Sequence, residues 1–180
     1  MTFALALATT GGWLAAPAAA QKADPANTLA IQLKSGQVLI KLRPDLAPKH
    51  VARVKQLAKD GFYDGIKFHR VIPGFMAQSG DPTGTGTGGS KYGDLPAEFS
   101  NIETFKRGSV GAARTSNPNS ANSQFFICFG DGCSKAGLNG QYTIWGEVIE
   151  GMEHVDKIAA GEPPANPDTI VKAQMLADKK

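Results

Sequence analysis

IKFHRVIPGFMAQSGD, residues 66–81, holds two short strand-like runs, 66–72 and 74–80, on either side of Pro73. Laid side by side, they bring Arg70, Phe75, Met76 and Gln78 toward one surface. Runs of the same kind follow downstream: a small-residue stretch at 110–113, SQFFICF at 123–129, YTIWGEVI at 142–149 and TIVKAQML at 169–176. Upstream, TLAIQLKSGQVLIKL (28–42) alternates apolar and polar residues on both sides of Lys34-Ser35-Gly36, the pattern of two strands and a tight hairpin. The tally is near eight strands, without the regular strand-helix alternation that a parallel sheet requires. An antiparallel barrel or sandwich is the natural outcome, and there is no internal repeat.

Two helices complete the pattern. In APKHVARVKQLAKDG (47–61), Pro48 suits a first helical position, Val51, Val54, Leu57 and Ala58 recur at helical spacing, and Gly61 can end the helix. In EGMEHVDKIAAG (150–161), Met152, Val155 and Ile158 share one face.

With 180 residues and 42% hydrophobic content, the chain can build one core but not two comfortable domains. Its 19 Lys and Arg against 16 Asp and Glu leave a net charge of only +3, with no run of like charge, which argues against dedicated nucleic-acid binding. The first twenty residues, MTFALALATTGGWLAAPAAA, carry no charge and end in Ala18-Ala19-Ala20. Residues 1–20 therefore read as a secretory signal without its usual basic start, 21–27 as a connector and 28–180 as the folded domain. Export to the periplasm or beyond follows, a cytoplasmic location being the alternative. Thr9, Thr10, Gly11 and Gly12 interrupt the leader too soon for stable membrane insertion. Cys128 lies in the apolar run and Cys133 in a Gly-flanked turn, so two buried, unlinked thiols are expected, with a local disulfide as the alternative. Two Cys and three scattered His make no zinc pattern, and no metal is expected.

The string GTGTGG (84–89) matches a dinucleotide fingerprint letter for letter, but Gly93 and Pro96 stand where the phosphate-facing helix should begin. It reads as a flexible surface loop. His50 and His154 fall in the two helices, and His69 in FHR reads as a structural hydrogen-bonding residue, since no nucleophile motif adjoins any of them.

If strands 66–72 and 74–80 neighbour SQFFICF, Gln124 and Phe126 join Arg70, Phe75, Met76 and Gln78, so that a cation and two amides border large apolar groups. On pattern alone, Phe75, Met76 and Phe126 are ordinary core and Arg70 a surface charge. Three long motifs change that balance: FHRVIPGFMAQSGDPTGTGTGG (68–89), GAARTSNPNSANSQFFICF (111–129) and LNGQYTIWGEVIEGMEHVDKI (138–158). In order and spacing they resemble the cyclophilins from about Thr28 to Ala177, and ARTS and QYTIWG are similar to bacterial members in particular.

The resemblance implies a closed eight-stranded antiparallel barrel with two covering helices, an active site on its outer face and a peptidyl-prolyl cis-trans isomerase needing no cofactor. It casts Arg70 as the catalytic arginine and Phe75, Met76, Phe126 and Leu138 as a proline pocket. Gln78, Gln124, the Ala113-Arg114 backbone and Tyr142 would hold or border the substrate chain. Proline-containing polypeptides are the implied partners, met by a monomer. Two departures stand out: Gly137 where many members carry Trp, and Tyr142 where they carry His.

Overall fold

The computed structural model describes residues 23–179, and the leader read at 1–20 lies outside them. Eight antiparallel strands form one curled sheet: β1 (Thr28–Leu33), β2 (Gly36–Leu42), β3 (Arg70–Ile72), β4 (Met76–Ser79), β5 (Ser109–Ala112), β6 (Phe125–Cys128), β7 (Ile144–Glu150) and β8 (Lys172–Met175). The helices are α1 (Pro48–Lys59) and two single turns, α2 (Gly132–Lys135) and α3 (Met152–Val155). Across the sheet the order is β3-β4-β6-β5-β7-β2-β1-β8.

The mainly-β expectation holds, but closure of the barrel does not. The edge strands β3 and β8 do not pair with each other among the described residues. Nearby segments meet through isolated bridges, Lys67 with Thr169 and Val71 with Gly161. Between Gly161 and β8 lie Pro163, Pro164 and Pro167, which have no backbone N–H to give, so this stretch cannot extend a continuous ladder. Ahead of β3, Phe68 donates its N–H to the Asp168 carbonyl at 2.9 Å.

Helix α1 follows its pattern, with Val51, Val54, Leu57 and Ala58 buried against the sheet. Its start has no cap of its own, since Ala47 offers no side-chain acceptor. Glu98 supplies one from a distant loop, accepting the Lys49 and His50 N–H groups at 3.1 and 3.0 Å. His50 turns inward to the same carboxylate, its Nδ1 2.7 Å from Glu98 Oε2. Burial holds the His50 ring below its ordinary pKa, and the Glu98 contact opposes that. The second helix is shorter than its sequence pattern, one turn at Met152–Val155, although Ile158 still reaches the core.

The sheet buries both faces. One carries the main core, including Val71, Ala77, Val110, Phe125, Ile127 and Trp145. A void on this side near Trp145, between α1 and the sheet, is only about 10 Å³, room for little more than a water. A second cluster on the opposite face gathers Met76, Phe105, Phe126, Cys128, Cys133 and Ile144.

The expectation of two separate thiols is corrected: Cys128 and Cys133 form a disulfide. The α2 turn folds the chain back until their Cα atoms are 6.1 Å apart, within the span such a bridge needs. The bridge ties the end of β6 to the turn that leads to Leu138.

Candidate active site

Register explains how the outer cluster becomes a cleft. Arg70 on β3 faces Gln78 on β4, Gln78 faces Phe126 on β6, and Phe126 faces Gly111 on β5. Residues directly opposite in neighbouring strands share a face, so four strands lay a cation, an amide and an aromatic ring in one row. The next row on that face is Ile72, Met76 and Cys128. Gly111 makes the row possible, since a Cβ there would collide with the rings of Phe126 and Phe105.

Nine of the ten residues singled out in the sequence line one cavity of about 140 Å³: Arg70, Phe75, Met76, Gln78, Ala113, Arg114, Phe126, Leu138 and Tyr142. That is small beside the 300–1,000 Å³ of drug-sized pockets and suits a single small ring. Met76 and Phe126 are almost wholly buried, whereas Arg70 keeps 42% of its side chain exposed. The Phe126 ring lies 5.5 Å from Phe105 and 5.9 Å, edge-on, from Tyr142, centroid to centroid. Tyr142 in turn carries the Arg114 guanidinium 4.2 Å above its ring. Arg70 donates from Nε to Glu162 Oε2 at 2.7 Å and sits 6.0 Å from the Phe75 ring.

The tenth residue, Gln124, lines a wider cleft of about 530 Å³ that continues from the first and shares Gln78, Ala113 and Arg114. Its amide is already in use: Nε2 donates to the Gly86 and Gly88 carbonyls at 3.0 and 2.8 Å, and Oε1 accepts from Gln78 at 3.0 Å. Gln124 therefore braces the cleft wall and the Gln78 side chain. Ala113 likewise gives its N–H to the Gln124 carbonyl, so what it can offer a peptide is its own carbonyl.

The Gly/Thr string is held more firmly than a flexible loop. The buried Asp81 carboxylate accepts from the Thr83 N–H and hydroxyl at 2.7 and 2.8 Å, and from the Thr85 and Gly86 N–H groups at 3.1 and 2.6 Å. Burial by itself would raise the Asp81 pKa, but the bonds from Thr83, Gly88 and Gly86 outweigh it and bring it down to about 2. These bonds favour the charged form, so their stabilisation is complete above the unfolded value near 4 and is lost as the pH falls toward 2. Asp81→Asn should cost about 2 kcal/mol at pH 7, and its deficit relative to wild type should shrink between pH 4 and pH 2 in denaturant titrations. A deficit that stays constant over that range would show that Asp81 does not hold the loop as a carboxylate. His69 differs from its expected role: it is buried beside Gly86, and neither ring nitrogen has a hydrogen-bond partner among the described residues. Desolvation lowers its pKa, against the pull of Asp81.

Phe105 and Glu162 were not foreseen. Phe105 stands in a polar segment, IETFKRG, with no strand pattern, and Glu162 lies 92 residues from the arginine it touches.

The family model described as cyclophilin type peptidyl-prolyl cis-trans isomerase/CLD matches residues 28–175. The chain belongs to the cyclophilin family. Among curated relatives, a probable peptidyl-prolyl cis-trans isomerase of Brucella suis is 55% identical over 177 aligned positions, covering 89% of this chain and 88% of that protein. A peptidyl-prolyl cis-trans isomerase of Helicobacter pylori is 40% identical over 134, covering 73% and 80%. Among solved structures, a cyclophilin from Hirschia baltica superposes with a TM-score of 0.76 at 28% identity, covering 87% of this chain and 76% of that one. A Cryptosporidium parvum cyclophilin crystallised in the presence of the dipeptide Ala-Pro gives a TM-score of 0.75 at 30% identity, covering 82% and 98%. This cyclophilin is thus an isomerase of peptidyl-prolyl bonds.

The backbone at Gly137 suits glycine. Gly137 closes α2 with φ 76°, its N–H on the Ser134 carbonyl, and open space surrounds the place of a Cβ. An indole would find room there, but the left-handed backbone disfavours any L side chain. Gly137 therefore adds no side chain to the turn that leads to Leu138.

Proposed function

We propose that the outer-face cleft is the catalytic site and that Arg70 accelerates rotation about X-Pro bonds by binding the twisted amide. The observation that carries this reading is the shared row of Arg70, Gln78 and Phe126 across three paired strands, opening on a ring-sized apolar cavity.

Uncatalysed rotation crosses a barrier of about 18–20 kcal/mol because it breaks amide resonance. In the twisted state the proline nitrogen regains a lone pair that accepts a hydrogen bond, and the planar ground state offers much less there. A guanidinium donates in fixed directions, so Arg70 favours the twisted form selectively. Phe75, Met76, Phe126 and Leu138 grip the proline ring. Gln78, the Ala113 carbonyl and the Arg114 backbone hold the flanking chain while the carbonyl swings. No step needs a cofactor, a metal or a covalent intermediate. The substrates are proline-containing peptides and folding proteins, met by a monomer.

The competing reading is a binding module for proline segments with little turnover. Relaxation of a cis-enriched X-Pro peptide separates the two: acceleration by catalytic amounts of protein supports the enzyme, and tight binding without acceleration supports the module.

We also propose that residues 1–20 direct export, on the strength of their uncharged apolar run and the three alanines that end it. Protein recovered from its host should begin near Gln21 and lie outside the cytoplasm. An abundant form that retains residues before Ala15 would overturn this.

A further inference from the structure

We infer that Glu162 is a positioning residue for Arg70, fixing which face of the guanidinium is presented to the cleft. The inference rests on the catalytic role proposed for Arg70. Glu162 Oε2 accepts from Arg70 Nε at 2.7 Å, the inner nitrogen of the guanidinium. Among the described residues neither terminal nitrogen of Arg70 has a hydrogen-bond partner, so both stay available to a peptide in the cleft that Arg70 lines.

Two features separate this contact from an incidental surface ion pair. The first is how Glu162 is delivered. Gly161, its chain neighbour, exchanges two backbone hydrogen bonds with Val71, the neighbour of Arg70: Val71 N–H to the Gly161 carbonyl at 2.8 Å, and Gly161 N–H to the Val71 carbonyl at 2.9 Å. The carboxylate is therefore placed by the main chain, and the ion pair does not have to order it unaided. The second is the lack of any competing tether. Gln78 stands opposite Arg70 in the register, yet among the described residues its side-chain oxygen accepts no hydrogen bond from Arg70, and the Phe75 ring at 6.0 Å provides no directional hold. A long arginine on an edge strand, 42% exposed, would otherwise sample many rotamers. Glu162 selects one of them and leaves the donating fork facing the substrate.

Such a pair, with both side chains about half exposed, contributes little to stability, so its effect should be read in turnover. The test is a four-member cycle of wild type, Glu162→Ala, Arg70→Ala and the double variant, assayed for kcat and KM on an X-Pro peptide and for thermal unfolding. Glu162→Ala should lower kcat about three- to fivefold, change KM and thermal unfolding little, and have no further effect once Arg70 is alanine. Glu162→Gln, which keeps an oxygen for Nε in the same shape, should recover part of the loss. An unchanged kcat in Glu162→Ala, or the same fractional loss with Arg70 already removed, overturns the inference. If Arg70→Ala itself keeps full activity, the catalytic role proposed for Arg70 is what fails.

Discussion

Arg70→Ala should lower kcat/KM for X-Pro isomerisation by at least about tenfold while the protein stays folded. Its side chain is 42% exposed on an edge strand, and its contacts are one carboxylate and the margin of one ring. Truncation removes no backbone hydrogen bond and opens no core cavity, so the fold has little to lose. Catalysis has more to lose. A hydrogen bond to a charged group contributes about 1.5–3 kcal/mol, and each decade of rate corresponds to about 1.4 kcal/mol, so its loss predicts one to two decades. Arg70→Lys keeps the charge but not the fork, and should fall between wild type and alanine. Steady-state assays with circular dichroism on the same samples check this. A folded Arg70→Ala of wild-type activity would remove Arg70 from the mechanism.

Phe126→Ala should act on fold and function together. The ring is only 4% exposed and is pressed between Phe105 and Tyr142, with Gly111 beneath offering no side chain to fill the gap. Losing a buried phenylalanine typically costs about 3–5 kcal/mol, a large share of a small domain's stability. The cleft also loses a wall, so KM should rise at temperatures where the variant remains folded. Phe126→Leu separates the two effects, because it restores most of the packing volume without the ring face. If it regains stability and shows wild-type kcat and KM, Phe126 is packing alone.

The parts of the fold legible in the sequence are those whose pattern is local. The alternation of 28–42 and the helical spacing of 48–59 are each read within one local stretch, and the two strands and the helix formed there. In Phe125–Cys128 every residue is apolar because both faces of the strand are covered, so no alternation marks Phe125 as interior and Phe126 as cleft. The register with Gln78 and Gly111 makes that distinction. Closure of the sheet depended on 161–168, where three prolines withhold the donors a ladder needs. The disulfide depended on one turn of helix that no periodicity announces. All nine residues lining the small cavity are nonetheless legible, since they belong to three long motifs; Glu162 belongs to none of them, and only the Val71–Gly161 bridge brings it to Arg70.

Exchange spectroscopy on an X-Pro peptide mixed with isotope-labelled protein tests the central claim most directly, because one sample reports both turnover and the place of contact. The account predicts cis/trans exchange cross-peaks that appear only with protein present, together with peptide-induced shifts centred on Arg70, Phe75, Gln78, Ala113 and Phe126. Absence of exchange at saturating peptide, or exchange accompanied by shifts confined to another face of the sheet, would contradict it.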